Sequence, residues 1–508
     1  MTNYSRITQN TLLLYFRSLI TLVITLYTSR VVLRVLGVED YGVYNVVGGI
    51  AGMLVFLNTS MAATYQRYYN YEMGRKSGDK LTNIFKSSLT AQLFVIAFVT
   101  VIAETVGLWF LNNKLVILPD RLEAARLVYH VSVISLGVSF IQAPFSALII
   151  AHERMGIFAF VSVLDAVLKL AIALYLPMVS GDKLIAYAWM QFGVIIINTI
   201  IYIVIPWLKF SSCKISFRWN VQELKSLLSF TGFGMMDSMA YTLKSQGLNI
   251  MLNMFFGTIV NAARGVAYQV LAGVEQFVVN FQTSFRPQII QQYAEGNLSS
   301  MYKLYYSATK ISFYMIWCLS LPIMLNISGI LDLWLGANNV PEHAGIFTII
   351  VLMTSMVSAF ANPTSGIIYA TGRIKMFTFV VSGLNLLILP VAYVVLRLGA
   401  GPQYALIVSL IITILAQVAR LFVLKHLEQS FSLKQYLVKV VKPTVVVALT
   451  SIVVPCTLKL YDNNEIWFQM LNAAIAVVCV VLCTFMFGLD KNEKTLLMSK
   501  IKQIIHKK

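Results

Sequence analysis

Residues 376–396 and 473–488 each run without one charged side chain, and stretches of that length restrict a chain more than any short motif does. A helix crosses the hydrocarbon core of a bilayer in about 20 residues. Inside that core every backbone N–H and C=O needs a partner within the protein, which leaves only the helix and the closed barrel. These runs show none of the alternation of a barrel strand, so the spans are helical. Composition agrees: 58% of the 508 residues are apolar and 12% charged, with a mean hydropathy of +0.75, about half the charge of an ordinary water-exposed domain. The sequence reads as an all-α polytopic membrane protein.

About fourteen transmembrane helices are expected, beginning near 10–36 and 41–63, passing through 227–256 and 264–289, and ending near 443–460 and 467–488. The first is long enough to span, so it reads as a retained helix and not as a cleaved leader. Net charge is +18, and the positive-inside rule accounts for most of it. Arg67, Arg75, Lys76, Lys80, Arg154, Arg373 and the lysines of the tail fall in one set of loops, while the alternate set holds little beyond Lys114, Arg121 and Lys183. Both termini are therefore expected on the cytoplasmic side. Nucleic acid is not needed as a partner to explain the charge. The short connections contain no ATPase domain, since Gly74 to Lys80 lacks the phosphate-loop spacing.

An internal repeat sets the expected architecture. Pro144 to Phe158 (PFSALIIAHERMGIF) matches Pro363 to Phe377 (PTSGIIYATGRIKMF) without gaps, sharing Pro, Ser, Ile, Ala, Arg and Phe, and Gly42-Val43 is echoed by Gly265-Val266. Spans 1 to 6 thus read as duplicated in spans 7 to 12. An even number of spans per copy gives two six-helix lobes related by a pseudo-twofold axis along the membrane normal. The expected divisions are an N-terminal lobe over 1–208, a C-terminal lobe over 209–441, two extra helices over 442–488 and a basic tail over 489–508.

Charges at membrane depth cost about 3 kcal/mol each on insertion scales, so they mark protein or water contacts. Arg17, Arg30 and Arg34 lie on span 1; Asp237 and Lys244 on span 7; Arg264, Glu275 and Arg286 on span 8; Glu104 and Lys310 on spans 3 and 9. Asp165 and Lys169, four apart on span 5, read as an internal neutralising pair. Cationic guanidinium groups along one wall of a cleft suit an anionic group such as phosphate. Asp237, Glu275 and Glu104 are candidates for proton or sodium coupling, with neutralisation by a neighbouring cation as the alternative. Five scattered histidines and five cysteines show no metal or disulfide spacing, so no metal, cofactor or catalytic centre is expected.

Arg34 to Tyr44, reading RVLGVEDYGVY, resembles the RxLGxxxYGxY signature of the Wzx-type polysaccharide flippases. These belong to the multidrug, oligosaccharidyl-lipid and polysaccharide (MOP) exporter superfamily. The turn after Pro144 is similar too. The resemblance implies a non-enzymatic inner-membrane flippase that moves undecaprenyl-diphosphate-linked oligosaccharide units from the cytoplasmic to the periplasmic leaflet by alternating access. It implies substrate contact at Arg17, Arg30, Arg34, Lys244 and Arg286, which match by location. Implied partners are the lipid-linked oligosaccharide, membrane lipid, and polymerase or assembly proteins. The alternatives are a drug or cation antiporter and a peptidoglycan-precursor flippase of the same superfamily.

Overall fold

The computed structural model describes residues 3–74, 78–152, 154–371, 373–460, 465–491 and 493–495. It is 89% helical, and no strand occurs among the described residues. In chain order the α-helices are α1 (Asn3–Gly52), α2 (Val55–Gly74), α3 (Gly78–Ile102), α4 (Leu108–Lys114), α5 (Leu122–Ala151), α6 (Met155–Tyr175), α7 (Lys183–Lys209), α8 (Val221–Phe256) and α9 (Thr258–Ala294). They continue as α10 (Leu298–Leu325), α11 (Ile327–Leu335), α12 (Ala344–Thr371), α13 (Ile374–Arg397), α14 (Gln403–Leu427), α15 (Leu433–Tyr436), α16 (Lys442–Lys459) and α17 (Ile466–Cys483).

Among the described residues, 11 helical stretches are long and apolar enough to cross a membrane, from Ser18–Gly52 to Trp467–Gly488. The chain is a multi-pass membrane protein. The spans expected at 227–256 and 264–289 are also helical, within α8 and α9, while the one expected at 41–63 is split by a turn at Met53-Leu54 between α1 and α2. Polar side chains such as Arg67, Glu72, Lys244, Arg264 and Glu275 make these helices less apolar than the others. Helix α1 breaks at Gly37, where φ is 78°, a conformation that costs glycine little and other residues much. The break falls between the first and second expected spans. Pro144 lies inside α5 and Pro363 inside α12; each helix stops just short of Arg154 or Arg373, and a new helix starts directly afterwards.

Two compact units divide the chain. The first comprises Met1–Val266, Asn339–Ala344 and Asn385–Ala405; the second comprises Ala267–Asn338, Gly345–Leu384 and Leu406–Lys508. In the first unit, Tyr65, Tyr69, Phe85, Phe140 and Phe145 form one core, and Val46, Val47, Tyr129 and Leu184 belong to another. In the second unit, Tyr305, Phe377, Phe431 and Tyr436 pack together, and Phe313 and Trp317 of α10 meet Val447 of α16 and Val480 of α17. The Trp317 indole N–H donates to Ser451 of α16 at 2.8 Å. Within a bilayer such contacts stabilise by close packing and hydrogen bonding more than by release of water.

One end of the first unit is tied by Arg121. Its guanidinium grips both Asp40 oxygens at 2.7 and 2.6 Å and donates to Asp182 at 2.6 and 3.2 Å. Asp182 also caps α7 by accepting from the Leu184 and Ile185 amides. Three connections are thereby fixed by one planar fork, a geometry that an ammonium group does not reproduce. Arg121→Ala should cost about 2 kcal/mol of stability, and Arg121→Lys should recover only part of it, read by thermal melting in detergent. Equal melting of wild type and Arg121→Ala would contradict the tie.

Candidate functional site

The membrane-spanning helices α1, α5, α6 and α7 of the first unit surround a cavity of about 450 Å³. Its polar lining is Thr21 and Thr25 of α1, Gln142 of α5, Ser162 and Asp165 of α6, and Asn198 of α7, with Phe158 and Tyr202 as aromatic walls. Thr21 and Thr25 are four apart and share a helix face, as helical geometry requires. Asp165 accepts from the Lys169 ammonium at 2.8 Å and from the Asn198 amide nitrogen at 2.7 Å. The Gln142 amide nitrogen donates to Thr199 at 2.7 Å. The cavity thus contains a carboxylate that already has its counter-ion, together with neutral hydroxyls and amides. The i, i+4 spacing made the ion pair legible in sequence; Gln142 and Asn198 carried no such signal.

Arg30 and Arg34 are both exposed on α1. They lie on the face that carries the exposed Leu19, Val23 and Tyr27, roughly half a turn of helix away from Thr21 and Thr25. Lys244 is half-buried on α8. The side chains of Arg17, Asp237 and Arg286 lie outside the described residues. Glu104 sits in the π-helical turn Ala103–Gly107 and pairs with His130 at 2.9 Å. In the second unit, Glu275 accepts from the Ser355 hydroxyl at 2.7 Å. Lys310, 1% exposed, contacts Glu493 at 3.0 Å and Asp490 at 3.4 Å. Among the described residues no group of three or more His, Cys, Asp or Glu side chains is placed to hold a metal ion.

A further polar network in the first unit is built of asparagines that the sequence did not mark out, beside Arg264, which it did. The Asn249 amide donates to the Asn45 carbonyl at 3.1 Å, and the Asn261 amide donates to the Asn249 carbonyl and side chain at 2.7 and 2.9 Å. The Asn253 amide donates to Asn261 at 3.0 Å, while the Asn253 oxygen accepts from the Val116 N–H at 2.8 Å. Arg264, buried, donates to the Ser245 carbonyl at 2.7 Å. Asparagines exchanging donors and acceptors in this way hold helices together where water is absent.

No protein-family model and no curated protein matches the chain. Solved structures do. A lipid II flippase, MurJ, in an inward closed conformation superposes with a TM-score of 0.70 over 94% of this chain and 98% of its own, at 12% identity. An inward-facing multidrug resistance MATE family transporter of the MOP superfamily gives a TM-score of 0.62 over 82% of this chain and 100% of its own, at 14% identity. The chain has the fold of MOP-superfamily transporters. The Vibrio cholerae MATE transporter VcmN, in a mutant form, gives a TM-score of 0.60, also at 14% identity, over 84% of this chain and 97% of its own. Solved structures of this fold thus include both a flippase and multidrug resistance transporters.

Proposed function

We propose that the protein is a flippase that carries undecaprenyl-diphosphate-linked oligosaccharide units from the cytoplasmic to the periplasmic leaflet of the inner membrane for surface polysaccharide assembly. The observation that carries this reading is the pair of exposed guanidinium groups, Arg30 and Arg34, on one face of a membrane-spanning helix. Forked donors at membrane depth suit a diphosphate that has to leave water. The superposition on a lipid II flippase, a carrier of a lipid-linked substrate, supports it. A cationic drug is disfavoured because Asp165, the carboxylate lining the first unit's cavity, is already neutralised by Lys169. On this reading the protein is not an enzyme, both termini are cytoplasmic, and its partners are the lipid-linked glycan, membrane lipid and the polymerase or assembly proteins that take the glycan next.

The test is export of surface polysaccharide at matched protein level. The Arg30→Ala, Arg34→Ala double variant should lower export about tenfold, equivalent to about 1.4 kcal/mol, and lysine at both positions should keep part of it because charge remains while the fork is lost. In cells lacking the protein, completed lipid-linked glycan should accumulate on the cytoplasmic leaflet, read by mass spectrometry with a membrane-impermeant probe. Full export by the double alanine variant would remove the arginines from the mechanism. Absence of any trapped lipid-linked glycan would overturn the flippase reading itself.

A further inference from the structure

We propose that the cavity between α1, α5, α6 and α7 is a saccharide subsite, which receives the neutral hydroxyls of the glycan while the diphosphate is held elsewhere. This inference rests on the flippase reading and specifies where the sugar part of the substrate is recognised.

The chemistry of the walls selects the ligand class. An anion would need an uncommitted cation, and Lys169 is engaged by Asp165 at 2.8 Å. A free cation would have to displace that ammonium before reaching the carboxylate. What remains is a neutral ligand rich in donors and acceptors, met by Thr21, Thr25, Gln142 and Asn198. The volume of about 450 Å³ falls within the roughly 300–1,000 Å³ of small-ligand sites. Tyr202 adds an aromatic surface, and the C–H face of a sugar ring packs against such a surface.

An independent observation points to a hydroxyl donor. Asn198 is 7% exposed, and its amide nitrogen is used on Asp165. Its carbonyl oxygen has no hydrogen-bond partner among the described residues. A buried acceptor left in that condition is costly, and it is oriented by the bond its own nitrogen makes. The Asn198 Oδ1 atom is sealed from the cavity as the side chain stands, so a sugar O–H satisfies it once the side chain turns by a small angle, whereas the Asp165 carboxylate, 29% exposed, has lone pairs that accept a hydroxyl directly. Lys169 and Asn198 then act as positioning residues for the carboxylate. Arg30 and Arg34, on the other face of α1, are separate from this subsite, so loss of sugar contacts and loss of phosphate contacts should be separable.

The experiment measures equilibrium binding to the full-length protein in nanodiscs with two probes: glycan-bearing undecaprenyl diphosphate extracted from cells lacking the protein, and sugar-free undecaprenyl diphosphate. Wild type should bind the glycan-bearing lipid at least fivefold more tightly. Asn198→Leu and Thr25→Val should each erase most of that preference while binding of the sugar-free lipid stays within twofold, which also reports that each variant is folded. Thr25 is exposed to the cavity, so its variant tests the site even where Asn198→Leu does not fold. A preference unchanged in Thr25→Val and in any folded Asn198→Leu, or a loss of both probes in parallel, overturns the subsite and leaves the flippase reading standing. A change in the sodium or pH dependence of lipid binding with the preference intact assigns the cavity to ion coupling and also overturns the subsite. Wild type that binds neither lipid overturns both readings.

Discussion

Gly42→Ala is expected to destabilise the first unit by about 3 kcal/mol or more, the upper end of what overpacking costs. A methyl group built at position 42 would stand 2.1 Å from the carbonyl oxygen of Thr258, 2.7 Å from its carbonyl carbon and 3.1 Å from its Cβ. The first two of these atoms are backbone at the start of α9, so no side-chain rotation relieves the contact and the helices themselves must separate. Separation would stretch the asparagine bonds that join Asn45 to Asn249 and Asn249 to Asn261. Thr258→Gly should not rescue the variant, because the obstruction is the carbonyl and not the threonine side chain. Gly48→Ala is the matched control: nothing stands within 4 Å of its added methyl, and alanine in a helix is favoured over glycine by about 0.5–1 kcal/mol. Thermal melting in detergent, with monodispersity on a sizing column, reads all three. Near-wild-type melting of Gly42→Ala would show that the two helices are not held at this spacing.

Much of this fold was legible because a bilayer demands long apolar helices, and length and charge are visible in one dimension. The boundary between the first two spans, where Gly37 breaks α1, and the pairing of Asp165 with Lys169 are local, and local spacing carried them. What could not be read depends on distance along the chain. Arg121 meets Asp40 across 81 positions and Asp182 across 61, and no periodicity announces such a pairing. Asn249, Asn253 and Asn261 look like ordinary polar positions on two helices until their amides are seen exchanging bonds with one another. The same applies to the cavity: Asp165 was conspicuous as a charge, whereas Gln142 and Asn198 are neutral and separated from it in sequence. Lys310 stood out as an intramembrane cation, but its carboxylate partners lie beyond the last span.

That lysine supports the second large expectation. Lys310 is 1% exposed on α10, with its ammonium 3.0 Å from Glu493 and 3.4 Å from both Asp490 and the Gly488 carbonyl. Tyr314, one turn further along α10, donates to the same carbonyl at 3.2 Å, and the Asp490 amide donates to Glu493 at 2.8 Å. The segment after the last span is thus fastened to α10 by a buried cation. Removing Glu493 leaves that cation with only the longer contacts to Asp490, 69% exposed, and the Gly488 carbonyl, so Glu493→Ala should cost about 2 kcal/mol, the scale of a lost hydrogen bond to a charged group. Lys310→Met combined with Glu493→Leu should recover most of it, since an apolar pair of similar size replaces the ion pair without an uncompensated charge. Burial pushes the Glu493 carboxyl up, but hydrogen bonds from Ser307, the Asp490 amide and Lys310, with the attraction of Lys310, outweigh it and hold the group below its ordinary value of 4.5. A carboxyl depressed in this way contributes its full stability above pH 4.5 and loses it as pH falls through the lower folded-state value. The wild-type melting temperature should therefore drop on acidification below that point, and the Lys310→Met, Glu493→Leu variant should lack this component. If both proteins respond to acid alike, or if Glu493→Ala melts with wild type, the tail is not held to α10 by charge.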